Sequence, residues 1–201
     1  MPKASLARLA AALALGVAAL GAVLILTPWG RSLWSKGGET AIGQALIGGP
    51  FHLTDQTGKS RTDADFRGQY LLVYFGYTNC PDVCPTTLQT ITNALDKLGP
   101  EAAKVTPIFI TVDPERDTAD VLRAYASNFH PRLVALTGSA TEIAAAAKAY
   151  RIYYAKVGEG PNYSMDHSSI VYLLGPDGKY LGHFGMEATA DDIAAGIRAE
   201  L

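Results

Sequence analysis

The fold is decided by the stretch Tyr-Leu-Leu-Val-Tyr-Phe-Gly (residues 70–76) and by Tyr-Thr-Asn-Cys-Pro-Asp-Val-Cys-Pro (residues 77–85), which follows it directly. The first seven residues are mostly apolar and β-favouring, which predicts a buried strand. Glycine, asparagine and proline then end the strand where the only two cysteines of the chain appear, Cys80 and Cys84. The sequence therefore predicts two thiols at the carboxyl end of a strand, where reactive groups gather in α/β proteins.

The residues after the cysteines predict a helix, because apolar side chains recur at spacings of three or four from Thr86 onward. If the chain already turns into that helix at Cys84, cysteines four apart lie on one face of consecutive turns. Such a pair can close a disulfide on oxidation or aim two thiolates at one metal ion. In either case the helix amino terminus would lower the thiol pKa.

Composition indicates one folded domain with an appendage. The chain has 201 residues, of which 48% are apolar and 18% charged, so a sizeable core is expected and disorder is not. Residues 1–38 hold four basic side chains and no acid, which leaves 13 basic against 19 acidic residues in the remainder, a net charge of -6. An acidic body argues against nucleic acid as a partner.

The amino-terminal segment predicts a membrane helix. Residues 9–26 are apolar throughout, and 18 helical residues span roughly 27 Å, close to the ~30 Å hydrocarbon core of a bilayer. A cleaved signal peptide is the alternative, but the run is long for one, so we expect an uncleaved anchor. Basic residues lie on both flanks and leave the orientation undecided, and export of the globular part is the simpler inference. We therefore divide the chain into an anchor and juxtamembrane segment (1–36) and a globular domain (37–201).

The globular domain alternates strands and helices. Residues 51–54 and 59–61 predict a hairpin, residues 105–112 a second buried strand, and Asp117 or Thr118 the cap of a helix. Further predicted elements are a strand at 133–136, a helix capped by Thr141, an extended segment at 152–157, a loop at 158–168, a hairpin at 170–184 and a closing helix from Thr189. The sum is an α/β fold with a mixed central sheet and helices packed around it.

The two cysteines favour a reactive or metal-binding pair over a structural disulfide. Closing a ring of about five residues would stabilise the fold by only about 2 kcal/mol. His167, in the loop before an apolar strand, is a possible third ligand. Two thiolates and one imidazole form a soft set of low coordination number, which suits Cu(I), and imidazole can also help hold Cu(II), whereas zinc would want a fourth ligand. Met165 could be an extra soft ligand, but packing is the more common role of such a residue.

Three segments together resemble the Sco (SenC) family: Gly-Tyr-Thr-Asn-Cys-Pro-Asp-Val-Cys-Pro (76–85), Val-Asp-Pro-Glu-Arg-Asp-Thr (112–118) and Asp-His-Ser-Ser (166–169). The resemblance covers about residues 40–201. It implies a thioredoxin-like core with an added β-hairpin, a membrane tether, and Cys80, Cys84 and His167 as copper ligands. It also implies a role in assembling the dinuclear copper centre in subunit II of cytochrome c oxidase. The family pattern marks residues 113–118, for which the residues themselves indicate only a strand-ending turn and a helix cap.

Two functions of different classes follow. The first is a copper metallochaperone, tethered to the membrane with its domain on the extracytoplasmic (periplasmic) side, which receives copper from another chaperone and passes it to subunit II. The second is a thiol-disulfide oxidoreductase that uses Cys80 and Cys84 to reduce the cysteines of that copper site. The spacing of the pair, one residue longer than the usual thioredoxin motif, favours metal binding. A peroxidase is a more distant possibility, because no arginine partner for the cysteine can be named.

Overall fold

The computed structural model describes residues 47–201, which form nine strands, four α-helices and two short 3-10 helices. The strands are β1 (His52–Asp55), β2 (Ser60–Thr62), β3 (Tyr70–Gly76), β4 (Val105–Thr111), β5 (Val134–Thr137), β6 (Tyr154–Val157), β7 (Ser164–His167), β8 (Val171–Leu174) and β9 (Tyr180–Phe184). The α-helices are α1 (Val83–Leu98), α2 (Ala119–Ala126), α3 (Ala140–Ala149) and α4 (Ala190–Arg198). The 3-10 helices are Asp63–Phe66 and Gly99–Lys104.

Seven of the strands form one mixed sheet in the order β2-β1-β5-β4-β3-β8-β9. The central strands β3, β4 and β5 are parallel neighbours, and the remaining pairs in this sheet are antiparallel. This arrangement confirms the predicted α/β fold with a mixed central sheet. Strands β6 and β7 form a separate antiparallel sheet, which we call the histidine ribbon because its last residue is His167.

Strand β3 is central to the fold and is buried along all but its first residue. Successive side chains of a strand point to opposite faces, so burial at every position means that both faces of the sheet are covered here. Helices α1 and α4 pack against each other, while α2 contacts β5 and α3 contacts β1. The carboxyl end of β3 leads directly into residues 77–82, which we call the cysteine loop.

Helix α1 begins at Val83, three residues before the predicted start. Asp82 is its N-cap residue, so Cys84 lies in the first helical turn and Cys80 precedes the helix. The earlier start places Pro85 in the first turn of the helix, where proline is tolerated because the N–H groups there have no intrahelical partner. The two cysteines are therefore held by different structures, one by a helix and one by a loop.

The other helix starts were predicted with mixed success. Thr118 caps α2 by accepting a hydrogen bond from a main-chain N–H, which decides between the two predicted caps. Thr141 was the wrong cap for α3, which begins after Ser139 because Ser139 and Glu142 form a reciprocal capping box. Thr189 caps α4, as predicted, also through a capping box.

The predicted loop at residues 158–168 is only partly a loop. Its second half is β7, which pairs with β6 in the register Tyr154 to His167 and Val157 to Ser164. The prediction was wrong because the segment Ser-Met-Asp-His (164–167) alternates polar and apolar residues, and the alternation packs Met165 into the core. His167 therefore lies on a strand and not in a free loop.

The predicted membrane anchor lies outside the described residues. Residues 9–26, the segment 1–36 and the proposed boundary at residue 37 all precede residue 47. Between residues 47 and 201, no helix has the length and apolar character needed to cross a bilayer.

The predicted amino-terminal hairpin is present as β1 and β2, and Asp55 holds its turn. The buried carboxylate accepts hydrogen bonds from the N–H and hydroxyl of Thr57 at 2.8 and 2.6 Å. It also accepts from the N–H of Lys59 at 3.1 Å and from Nε of Arg61 at 2.7 Å. Burial by itself raises the pKa of Asp55, but the hydrogen bonds from Thr57, Arg61 and Lys59 outweigh it and lower the pKa to about 2.

This carboxylate should make the fold sensitive to acid. The pKa of Asp55 in the fold lies below the ordinary value of 3.8, so the unfolded chain takes up the proton first as the pH falls. We expect Asp55 to contribute on the order of 2 kcal/mol to the free energy of unfolding above about pH 4 and to lose that contribution between about pH 4 and pH 2. Urea unfolding of the wild type and Asp55→Asn across this range measures it. Parallel loss of stability in the two proteins would contradict the assignment.

Candidate metal centre

Cys84 is fully buried at the amino terminus of α1, beneath the end of β3. Its sulfur packs against Gly76, where an added Cβ would lie 2.9 Å from Cys84 Sγ and 2.8 Å from Cε2 of Phe109. No side chain larger than hydrogen fits at that position without displacing the sulfur or the ring. The missing side chain of Gly76, at the end of β3, therefore leaves the space that the Cys84 thiol occupies in the core.

Cys80 is half-buried in the cysteine loop, and its sulfur faces the start of α1. The main-chain N–H of Cys84 donates a hydrogen bond to Cys80 Sγ at 3.4 Å. Both thiols are free, with no disulfide between them. The loop thus presents a more accessible sulfur beside the buried one.

His167 reaches the same place from the histidine ribbon. Its Nε2 lies 3.4 Å from Cys84 Sγ, and its Nδ1 lies 3.2 Å from the carbonyl oxygen of Ser168. Because a carbonyl oxygen can only accept, Nδ1 carries the proton, and the lone pair of Nε2 faces the thiol. Ser168 is fixed in turn by Tyr153, whose carbonyl accepts from the Ser168 N–H and whose N–H donates to the Ser168 hydroxyl. An imidazole held by a carbonyl in this way has the orientation of a metal ligand.

Two tyrosine rings, which the sequence did not single out, enclose the imidazole. Tyr74 and Tyr77 meet the His167 ring edge to face, with centroids 6.1 and 6.0 Å away. Tyr74 is fully buried, and its hydroxyl has no hydrogen-bond partner among the described residues. Burial raises the pKa of the Tyr74 hydroxyl. The rings shield the imidazole from water and limit its rotation.

Burial controls the protonation of the site. It raises the pKa of the Cys84 thiol to about 12, and the neighbouring Cys80 sulfur acts in the same direction. The prediction that the helix amino terminus lowers the thiol pKa was therefore wrong for Cys84, because loss of water outweighs the helix dipole at a fully buried sulfur. Burial also lowers the pKa of His167. Both groups are neutral at pH 7 in the metal-free protein.

The structure brings the three predicted ligands together in pairs. Cys84 contacts both Cys80 and His167, through its N–H and its sulfur respectively. Within residues 47–201, no three or more His, Cys, Asp or Glu side chains are already arranged around one metal position, so an ion held by Cys80, Cys84 and His167 would have to draw them closer together. The side chain of Met165 belongs to the hydrophobic core, in agreement with the expectation that it packs.

Sequence reasoning gave residues 113–117 no role at the site beyond a turn. Asp113 and Asp117 are both buried; Asp117 accepts from the cysteine loop, and Asp113 accepts from Tyr163, which directly precedes β7 of the histidine ribbon. Two acids directly after a buried strand, on the sheet edge that carries the cysteines, were the available indication.

The comparison with family models identifies the chain. Residues 39–201 match the model described as SCO1/SenC. This protein belongs to the SCO1/SenC family. The human mitochondrial SCO1 homolog is 44% identical over 164 residues, which cover 80% of this chain and 54% of that protein. The chain thus spans about half the length of this SCO relative.

Solved structures of Sco proteins share the fold. The copper-bound structure of ScoI from Bradyrhizobium japonicum has a TM-score of 0.73 and 46% identity, and the match covers 77% of this chain and 99% of ScoI. BsSco, a Sco-family cytochrome c oxidase assembly protein in which a disulfide switch has been identified, has a TM-score of 0.62 and 31% identity, with coverage of 77% and 92%. These matches support the predicted thioredoxin-like fold.

The packing of Cys84 against Gly76 can be tested by Gly76→Ala. The added methyl group must displace Cys84 Sγ or the Phe109 ring, so we expect a loss of about 1–3 kcal/mol in the free energy of unfolding. We also expect faster reaction of Cys84 with a thiol reagent, because the sulfur is pushed from its buried position. Urea unfolding and mass spectrometry of the labelled protein measure the two effects.

Gly182→Ala is the matched control, since Gly182 also lies in a strand, β9, and an added Cβ there has no heavy atom within 4 Å. This control should keep the thiol reactivity of the wild type. Equal reactivity of Cys84 in both variants would contradict the packing argument.

Proposed function

We propose that this protein is a copper metallochaperone that binds copper through Cys80, Cys84 and His167 and delivers it to the dinuclear copper site of cytochrome c oxidase subunit II. The observation that carries the proposal is the 3.4 Å approach of His167 Nε2 to Cys84 Sγ, with the Nε2 lone pair directed at the sulfur. A soft sulfur from α1 and an imidazole nitrogen from the histidine ribbon approach each other at this place. Both atoms are metal ligands in proteins, so their proximity supports binding of one ion by both.

The donor set fits copper better than the other common metals. Two thiolates and one imidazole are soft ligands of low coordination number, as Cu(I) prefers, and imidazole also suits Cu(II). Copper is described in the structure of ScoI from Bradyrhizobium japonicum. The buried position of Cys84 excludes water from one side of the proposed site, which favours a low-coordinate ion.

Copper binding would release a proton. A metal ligand must be a thiolate, and Cys84 is protonated at pH 7 because its pKa is about 12. Binding therefore competes with protonation of Cys84, and the apparent affinity rises with pH. The neutral imidazole of His167 needs no such change, since its Nε2 is already free of a proton.

The proposal places the domain on the extracytoplasmic (periplasmic) side of a membrane, tethered by the apolar segment 9–26. Subunit II would be the acceptor and another copper chaperone the donor. Membership of the SCO1/SenC family supports this assignment, since BsSco belongs to a family of cytochrome c oxidase assembly proteins. The acidic body argues against a nucleic-acid partner.

The ligand set can be tested on the full-length protein. We expect one Cu(I) per chain, coordinated by two sulfurs and one nitrogen in X-ray absorption. Cys80→Ser and Cys84→Ser should each weaken binding by at least about 100-fold, more than the loss of an outer hydrogen-bond partner of a metal ligand. His167→Ala should keep both sulfurs and lose the nitrogen.

His183→Ala is the control for histidine loss, because His183 is exposed on β9 and is hydrogen-bonded to Tyr180. It should bind Cu(I) as the wild type does. Unchanged affinity in the double variant Cys80→Ser/Cys84→Ser would contradict the metal-binding proposal.

A second candidate function is reduction of the disulfide in the copper site of subunit II. The two free thiols lie next to each other, and BsSco contains a disulfide switch. The accessible Cys80 would attack the partner disulfide as a thiolate, and Cys84 would then resolve the mixed disulfide. Two electrons pass from the thiol pair to the partner, and an external dithiol must reduce the new Cys80–Cys84 disulfide.

His167→Ala distinguishes the two functions. The imidazole is a metal ligand in copper delivery, but it takes no part in the bonds exchanged during disulfide reduction. We therefore expect the variant to lose oxidase assembly in cells while it keeps its rate of disulfide exchange with a model peptide. Oxidase activity in a complemented deletion strain and stopped-flow exchange measure the two. Normal assembly in the variant would favour the reductase.

A further inference from the structure

We propose that Asp113, Arg116 and Asp117 are positioning residues that hold the cysteine loop and the histidine ribbon at a fixed separation. These residues belong to the turn between β4 and α2. The inference rests on the proposed function for what the site binds. It concerns residues outside the proposed ligand set.

Asp117 holds the cysteine loop. Its carboxylate is fully buried and accepts hydrogen bonds from the N–H of Thr78 at 3.0 Å and from the Thr78 hydroxyl at 2.5 Å. Thr78 lies two residues before Cys80. A carboxylate that accepts both groups of one loop residue fixes the path of the chain that leads to the first thiol.

Asp113 and Arg116 hold the start of β7. The hydroxyl of Tyr163 donates to Asp113 at 2.6 Å, and Nη1 of Arg116 donates to the Tyr163 carbonyl at 2.9 Å. The Arg116 guanidinium also lies over the Tyr163 ring at 3.6 Å from its centroid. Tyr163 directly precedes β7, whose last residue is His167.

The two contacts are joined within the turn itself. The carbonyl of Asp113 accepts from the N–H groups of Arg116 and Asp117, and Nε of Arg116 donates to the Asp113 carboxylate. The hydroxyl of Thr111 donates to Asp117 at 2.6 Å and accepts from the N–H of Asp113 at 2.9 Å. Thr111 is the last residue of β4, so the turn is anchored to the central sheet.

The histidine ribbon needs such an attachment because no strand ladder joins it to the seven-stranded sheet in the described part of the chain. The ion pair of Lys156 with Glu115 is exposed and contributes little. Side-chain contacts therefore help to set the separation of His167 from the cysteines, and the turn supplies buried ones. Arg116 also lies 5.9 Å from the ring centroid of Tyr77, which itself meets His167.

The test compares two variants with two matched controls in the full-length protein. Tyr163→Phe removes one hydroxyl from the ribbon contact, and Tyr180→Phe removes the hydroxyl that contacts His183 on β9. Asp117→Asn changes a buried carboxylate near the site, and Asp55→Asn changes an equally buried one in the β1–β2 hairpin. All four are expected to lower stability, so stability alone does not decide.

The deciding readouts are the ring resonances of His167 in metal-free, reduced protein and the Cu(I) affinity measured with a competing chelator. We expect Tyr163→Phe and Asp117→Asn to shift the His167 resonances and to weaken Cu(I) binding by about 10-fold or more, the range for residues that orient a ligand. The two controls should change neither quantity. Resonances and affinities that match those of the controls would overturn the proposal.

A substitute variant and the metal-free NMR readout keep the test decisive. Thr78→Val removes the hydroxyl that contacts Asp117, and it replaces Asp117→Asn if that variant does not fold. The NMR readout uses no metal and is therefore independent of copper binding. If the wild type binds no copper, the proposed function is contradicted. The His167 resonances would still show whether the turn positions the site.

Discussion

The close contact of Cys84 Sγ with Gly76 is the constraint on which the candidate site depends. Strand β3 runs through the core and ends on a residue with no side chain, and the first turn of α1 fills that space with a thiol. A packed interior tolerates little change in volume, so the position of this sulfur is set by the whole sheet. The cysteine loop and His167 are arranged around this buried and closely packed atom.

The buried position of the Cys84 sulfur also affects the protonation of the site. A thiol that is fully buried loses the water that would stabilise its charge, and burial overrides the helix amino terminus. The same burial keeps His167 neutral. The metal-free site is consequently an uncharged pair within an aromatic enclosure, and it gains charge only when something replaces the thiol proton.

The site is also divided between two parts of the fold. The cysteines lie in the cysteine loop and at the start of α1, which follow β3 of the seven-stranded sheet, while the imidazole comes from a two-stranded ribbon with its own pairing. A divided site can be tuned by the contacts between its halves, and these contacts are polar and buried at residues 113–117. Asp113 and Asp117, which are not among the proposed ligands, accept the hydrogen bonds at this boundary.

The sequence by itself determined the local structure and the chemical types. It predicted β3, the cysteine pair at its carboxyl end, the mixed sheet, the hairpins, a cap at Asp117 or Thr118 and a closing helix from Thr189, because these depend on the period of apolar residues and on turn and cap chemistry within a few positions. Membership of the SCO1/SenC family also agreed with the resemblance of three short segments.

Only the tertiary structure decided how those pieces meet. The burial of Cys84 and the direction of its pKa shift depend on Gly76 and Phe109, which come from two different strands. The loop predicted at 158–168 became β7 because its partner strand and the core fix the alternation of Met165 and His167. Contacts between distant segments, such as Asp117 with Thr78, cannot be predicted from a local sequence pattern. Each depends on where the folded chain places both residues.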